Sequence, residues 1–104
     1  MQTYILLTKL APEAGYQLKD RAEASRNWLE LVKNKCPEVH FLNHYALLGR
    51  YDFIDIFEAP DEESAAKVSL ISRTNGAFYA ESLLAIPHKH FLELSKSLTE
   101  ELNT

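Results

Sequence analysis

The chain of 104 residues is long enough for one domain with one modest core, and its 46% hydrophobic and 25% charged content is ordinary for a globular protein. The formal net charge of -4, with no basic cluster, argues against nucleic-acid binding. No apolar run approaches membrane-spanning length, and the start has no signal-peptide pattern, so we expect a cytoplasmic protein that binds no membrane. The single cysteine, Cys36, excludes an internal disulfide, which suits a reducing compartment. We expect one domain over residues 1–104.

The first half of the chain predicts a strand followed by a helix. Residues 3–8 are apolar and β-prone, and Pro12 and Gly15 then indicate a loop. From about Tyr16 to Lys35 the apolar residues recur at helical spacing, at Leu18, Ala22, Ser25, Trp28, Leu29 and Val32. Pro37 ends this helix, because proline restricts the residue before it and cannot continue the hydrogen-bond ladder.

The most apolar stretch follows, as two segments over 39–48 and 51–58 that predict a β-hairpin. Gly49 suits the first central position of a two-residue type II′ loop, which requires a positive φ. With that loop, His44 faces Asp55 on the neighbouring strand. One face of the hairpin then carries Leu42, His44, Ala46, Leu48, Tyr51, Phe53, Asp55 and Phe57, and the other carries Phe41, Asn43, Tyr45, Leu47, Asp52, Ile54, Ile56 and Glu58. Both faces are largely apolar, so both need cover.

The last part of the chain predicts a helix, a strand and a final helix. Asp61 is a good N-cap for the second helix, and its inner stripe is Ala65, Val68 and either Ile71 or Ser72. Asn75 and Gly76 suit its end, because both tolerate the left-handed cap conformation. A fourth strand over 78–86 leads to Pro87, a favoured first residue of the final helix. The apolar stripe of that helix is Phe91, Leu94, Leu98 and Leu102, which suits packing on its own sheet or on a partner.

This element order predicts an α+β, ferredoxin-like βαββαβ fold: a four-stranded antiparallel sheet, helices on one face, and an extra C-terminal helix. The first and third strands are then central. The second face of the sheet is expected to be covered by another copy of the chain, as in a dimeric α/β barrel, which predicts a homodimer or a higher homo-oligomer.

The run Gly49-Arg50-Tyr51-Asp52, continued by residues 53–61, resembles the signature of the GYD domain family, named for glycine, tyrosine and aspartate. The resemblance extends through 62–67 and 80–83 and covers nearly the whole chain. It implies a small ferredoxin-like α+β domain, similar to dimeric α/β-barrel proteins, without an assigned biochemical activity. Asp55 departs from the pattern, since such strands usually have an aliphatic residue there, and His44 is not part of the signature either.

The predicted pair of His44 and Asp55 is the candidate catalytic site, because a carboxylate beside an imidazole fixes its tautomer and favours its protonated form. The same pair also suits a structural role at a dimer interface. The candidate ligand-binding residues are Tyr45, Arg50, Tyr51, Asp52, Phe53 and Glu81, with Phe41 as further aromatic lining and Tyr79 beside Glu81 on the fourth strand. Asp52 also suits a structural role, in which its carboxylate accepts backbone N–H bonds.

The histidines do not predict a metal site. His40 and His44 share a face but lie about 13 Å apart along a strand, and His88 and His90 lack a third ligand, so we expect no metal and no cofactor. No phosphate-binding loop or nucleophile motif is present in the sequence. Three functions stay open: binding of a small, mostly apolar molecule, a mono-oxygenase or isomerase activity using His44 and Asp55, and a structural or regulatory assembly module.

Overall fold

The computed structural model describes residues 1–12 and 20–103, which contain four strands and three helices. In chain order they are β1 (Gln2–Leu10), α1 (Arg21–Lys35), β2 (His40–Ala46), β3 (Phe53–Ala59), α2 (Glu62–Thr74), β4 (Ala77–Ala85) and α3 (His88–Leu102). The predicted start of the first helix at Tyr16, and the place of Leu18 in its stripe, lie outside the described residues.

The strands form one antiparallel sheet in the order β2-β3-β1-β4, with β1 and β3 in the centre. The predicted ferredoxin-like fold with an additional C-terminal helix is therefore confirmed. Helices α1 and α2 cover one face of the sheet, as predicted, and the alternation of side chains along each strand divides the residues between this helix-covered face and an open face.

The core lies between the helix-covered face and α1 and α2. Leu6 of β1 and Phe57 of β3 are fully buried, as is Val68 of α2, and Val32 of α1 is 1% exposed. The ring of Tyr4 stacks on that of Phe57, with 5.5 Å between the ring centroids. Each of these aliphatic and aromatic side chains contributes about 1.5–3 kcal/mol through burial, which holds both helices on the sheet.

The ends of α2 follow the sequence signals. The Asp61 side chain accepts a hydrogen bond from the Ser64 backbone N–H at 2.9 Å, which satisfies one of the free donors of the first turn and lowers the pKa of Asp61. After the helix, Gly76 has a φ of 96°, in the left-handed region predicted for its cap. Cys36 is fully buried, and burial raises the pKa of its thiol, so it is poorly reactive.

The predicted register of the hairpin is confirmed at its centre, where His44 pairs with Asp55 and Tyr45 pairs with Ile54. The predicted face of Phe41 is wrong. An irregularity between Phe41 and Asn43 inserts one extra residue, so that Phe41 pairs with Phe57 on the helix-covered face. The Phe41 ring lies 5.3 Å from that of Trp28. Burial of this aromatic ring against the core is the physical reason for the shift.

The predicted two-residue loop is also wrong, because the paired strands stop at Ala46 and resume at Phe53. Gly49 does have a positive φ, of 144°, as the turn requires. The six-residue connection is held by β1: the Asp52 backbone N–H donates to the Thr8 carbonyl at 2.8 Å, and the Asp52 carboxylate accepts from the Leu10 N–H at 2.7 Å. Asp52 thus fastens the end of the hairpin to the central strand.

Two apolar surfaces have no cover within the described part of the chain. The open face of the sheet carries Ile5 and Leu7 of β1, Ile54 and Ile56 of β3, and Leu83 of β4, which is 40% exposed. Helix α3, all of which is described, has no buried residue. The radius of gyration is 16.6 Å, whereas a compact chain of this length has roughly 13 Å. The larger value is consistent with a helix α3 that does not pack on the sheet.

Candidate functional site

A cavity of about 410 Å³ lies between the helix-covered face of the sheet and α1. This volume is in the range of small-molecule sites. Its wall is formed by Thr8, Leu10, Arg21, Ala24, Ser25, Arg26, Trp28, Leu29, His44, Tyr45, Ala46, Phe53, Asp55, Ser72, Asn75 and Ala77. Most of the surface of this wall is apolar, although nine of its sixteen described residues have polar or charged side chains.

The strand register brings His44 and Asp55 together in the cavity wall. His44 Nδ1 lies 2.5 Å from Asp55 Oδ1. Asp55 is 6% exposed, and burial raises the pKa of its carboxyl, while the hydrogen bond and the charge of His44 lower it in part. The His44 side chain is 47% exposed. Because Asp55 occupies Nδ1, Nε2 is the ring nitrogen left to accept or donate a proton, so the pair can act as a general acid or base or bind a polar ligand group.

Trp28 of α1 links the cavity wall to α2. Its indole N–H donates to Ser72 Oγ at 2.9 Å, and the Ser72 hydroxyl donates to the Val68 carbonyl at 2.9 Å. The Trp28 ring packs on Phe41, which fixes the side of α1 that faces the sheet. This chain of contacts sets the distance between α1 and α2 beneath the cavity.

Arg21, the first residue of α1, brings a positive charge to the cavity. Its guanidinium carbon lies 5.9 Å from the centroid of the Phe53 ring, within range of a cation–π contact. Its Nε is buried and has no hydrogen-bond partner among residues 1–12 and 20–103. Buried donors are almost always paired in proteins, so this atom is an unusual feature of the wall.

The candidate ligand residues predicted from the sequence are divided between the cavity wall and other parts of the surface. Tyr45 and Phe53 are in the cavity wall, whereas Arg50 stacks on Tyr51, with 5.9 Å from the guanidinium carbon to the ring centroid. Tyr51 also lies 6.2 Å from the ring of Tyr79, whose hydroxyl donates to Glu81 at 2.6 Å on the open side of the sheet. This hydrogen bond raises the pKa of Tyr79. The structure therefore separates Arg50, Tyr51, Asp52 and Glu81 from the cavity that holds His44 and Asp55.

Sequence reasoning missed the contribution of the helices to the wall. Arg21, Trp28 and Ser72 come from α1 and α2, and no motif marks them. The available signal was the helical spacing of Ser25 and Leu29 around Trp28, all three of which line the wall. The predicted place of Ala22 in the same stripe is wrong, because Ala22 is exposed and lies outside the wall. Among the described residues, no three histidine, cysteine, aspartate or glutamate side chains converge on a point that would hold a metal ion. None of the described helices has the length and apolar content needed to cross a membrane.

The sheet order and helix placement define a ferredoxin-like α+β domain, with a cavity of about 410 Å³ beneath α1. Within that class, the chain belongs to the GYD domain family, whose sequence model matches residues 4–94. This match confirms the resemblance carried by residues 49–61.

Two individual proteins are also similar to this chain. A protein of Thermus thermophilus, named glutamine synthetase and cystathionine beta-lyase binding protein, is 29% identical over 87 residues, which cover 84% of this chain and 90% of the relative. The crystal structure of FFRP-DM1 superposes with a TM-score of 0.55 at 19% identity and covers 83% of this chain and 100% of that one. At this identity the second likeness shows the fold alone.

Proposed function

We propose that this chain is a small-molecule-binding domain that acts as a homo-oligomer in the cytoplasm. The observation that carries the proposal is the cavity of about 410 Å³, which has a mostly apolar wall and contains the His44–Asp55 pair. The volume of the cavity and its mostly apolar surface support a site for a small ligand. A free, buried Cys36 is compatible with a reducing compartment.

Filling the cavity tests the binding proposal. Ala24 of α1 lines it, whereas Ala22 on the same helix is exposed and outside the wall. Ala24→Phe should abolish ligand retention in native mass spectrometry of the purified protein, and Ala22→Phe should leave it intact, since the same ring then points away from the site. Retention that survives in both variants, or no retained small molecule in the wild type under any condition, would count against the proposal.

Self-association is supported by the open face of the sheet. An antiparallel sheet that faces water normally shows polar residues on its wet side, but here β1 and β3 present Ile5, Leu7, Ile54 and Ile56. Contiguous apolar surfaces of this kind mark interaction sites. A second copy of the chain has the same apolar face and can pair with it through a two-fold axis.

A charge on the open face tests self-association. Leu83→Lys should convert the assembly to monomers in size-exclusion chromatography with light scattering, because a buried lysine in an apolar interface is costly. Leu70→Lys is the matched control: Leu70 is 58% exposed, lies on α2 and is remote from that face. A wild-type chain that is monomeric at high concentration would refute this part of the proposal.

A second candidate function is the binding of other proteins. The relative from Thermus thermophilus is named for binding two enzymes, glutamine synthetase and cystathionine beta-lyase. The exposed stripe of α3, with Phe91 and Leu98 more than half exposed, supports such a role for this chain. Purified glutamine synthetase and cystathionine beta-lyase, mixed separately with the chain, should co-elute with it if this function is shared, and Leu98→Lys should weaken the complex.

A further inference from the structure

The polar groups of the cavity differ in how well they are satisfied. Asp55 is paired with His44, and the Ser72 hydroxyl already bonds Trp28 and Val68. Arg21 is the exception, because its buried Nε has no partner in the described ranges, and no carboxylate there forms an ion pair with its guanidinium. Among these residues, Arg21 is thus a charged group of the wall that is not neutralised by a partner of opposite charge.

The charges of the wall favour an anion. Arg21 and Arg26 are both positive, and among the described residues of the wall only Asp55 is acidic, with His44 beside it. The two arginines outnumber the carboxylate even when His44 is neutral, and protonation of His44 adds a further positive charge. An anionic group of a ligand would thus enter a positive environment that is partly shielded from water, where electrostatic attraction is stronger.

The remainder of the wall selects the body of the ligand. Trp28 and Phe53 present aromatic surface, and Ala24, Leu29 and Ala46 leave apolar space between them. Such a surface favours an aromatic or branched aliphatic group, which buries its own apolar area against these side chains. A guanidinium binds a planar carboxylate through two parallel hydrogen bonds.

We infer that the cavity binds a small carboxylic acid with an apolar body, whose carboxylate pairs with the Arg21 guanidinium while its body packs on Phe53 and Trp28. The inference rests on the proposed small-molecule function and specifies the class of ligand for the same site. His44 Nε2 is the second polar contact available to such a ligand, since Nδ1 is taken by Asp55.

Matched acids and amides test the inference. The probes are 3-phenylpropanoate and 4-methylpentanoate, each with the corresponding neutral primary amide. Trp28 is the only tryptophan of the chain and lies in the wall, so its fluorescence reports binding directly. Each acid should bind about tenfold or more tightly than its amide, because a charge-assisted bidentate pair is stronger than a neutral hydrogen bond.

Substitution of Arg21 assigns the preference to one side chain. Arg21→Gln should weaken acid binding about tenfold and leave amide binding unchanged, and the retained amide binding shows that the variant is folded. Arg21→Lys should keep part of the preference, and Arg73→Gln, which changes an arginine outside the wall, should keep all of it.

The possible results separate this inference from the proposed function. Equal binding of acid and amide, or an acid preference that persists in Arg21→Gln, overturns the choice of ligand class, while the Ala24→Phe result still decides whether the cavity binds a small molecule. Failure of all four probes to bind the wild type also overturns the ligand class. If Ala24→Phe has no effect on retained ligand as well, both proposals fail.

Discussion

The hydrogen bond between Trp28 and Ser72 provides a quantitative test of how α1 is held over the cavity. Ser72→Ala removes the acceptor of the indole N–H, which is 2.9 Å away, and Ser72 itself is only 3% exposed. Leaving a partly buried donor unpaired costs about 1–3 kcal/mol, and the position of Trp28 beside a cavity, where water can reach it, favours the lower half of that range. We expect a loss of about 1–2 kcal/mol, equivalent to about 5–15 °C in Tm for a domain of this size.

Urea unfolding followed by far-UV circular dichroism measures this loss at equal chain concentrations, which matters because an oligomer gains stability with concentration. Ser69→Ala is the matched control on the same helix. Ser69 Oγ lies 2.6 Å from Ser82 Oγ, but the Ser82 hydroxyl also reaches the Ala65 carbonyl at 3.2 Å, so Ser82 keeps a partner. The control should therefore cost clearly less than Ser72→Ala.

A double-mutant cycle with Trp28→Phe isolates the pair. In the Trp28→Phe background the donor is absent, so Ser72→Ala should then cost only the small contribution of its bond to Val68. The reasoning is refuted if Ser72→Ala is no more destabilising than Ser69→Ala, or if its effect is the same in both backgrounds.

Three further predictions concern separate features. Asp61→Ala removes the acceptor of the Ser64 N–H and should lower the free energy of unfolding by about 1 kcal/mol in urea unfolding, whereas Asp61→Asn should cost less; equal losses would contradict the cap. The folded-state pKa of Asp55 is raised above its ordinary value of 3.8. The protonated carboxyl therefore contributes stability that is fully present below pH 3.8 and is lost as the pH rises through the raised pKa. The free energy of unfolding of Asp55→Asn should accordingly improve relative to the wild type as the pH rises above 3.8, and a change in the opposite direction would show that the pair with His44 outweighs burial. The apolar stripe of α3 is a second surface proposed for self-association, so Leu98→Lys should reduce both helicity and self-association, measured by circular dichroism and light scattering. Unchanged values of both would show that α3 takes no part in self-association.

Local signals in the sequence were sufficient for the elements and the topology. Asp61 and Gly76 mark the ends of α2 through backbone chemistry that is confined to a few residues, and the pairing of His44 with Asp55 follows from the alternation of side chains once the hairpin is recognised. The residues flanking Gly49 gave the correct register even though the loop is longer than predicted, because two more residues in each half of the connection leave the pairing unchanged.

Features that depend on contacts between distant segments were not predictable in this way. The irregularity at Leu42 turns Phe41 towards Trp28, and its cause is the packing of α1, which the hairpin sequence does not encode. The cavity has the same origin. Its wall joins α1, β2, β3 and the end of α2, so the roles of Arg21 and Ser72 become visible only when these elements are brought together.

The two faces of β3 relate the cavity to the surface proposed for assembly. Phe53 and Asp55 point to the cavity, while Ile54 and Ile56, which alternate with them, point to the open face. Helix α3, like the open face, lacks cover: none of its side chains is buried against the described chain. An isolated helix of 15 residues is only marginally stable in water, so α3 needs contacts from elsewhere to be stable. The proposed assembly therefore has two sources of apolar area outside the cavity, the open face with Ile54 and Ile56 and the stripe of α3. Because neither source includes Phe53 or Asp55, the proposed ligand and a second copy of the chain do not compete for the same side chains of β3.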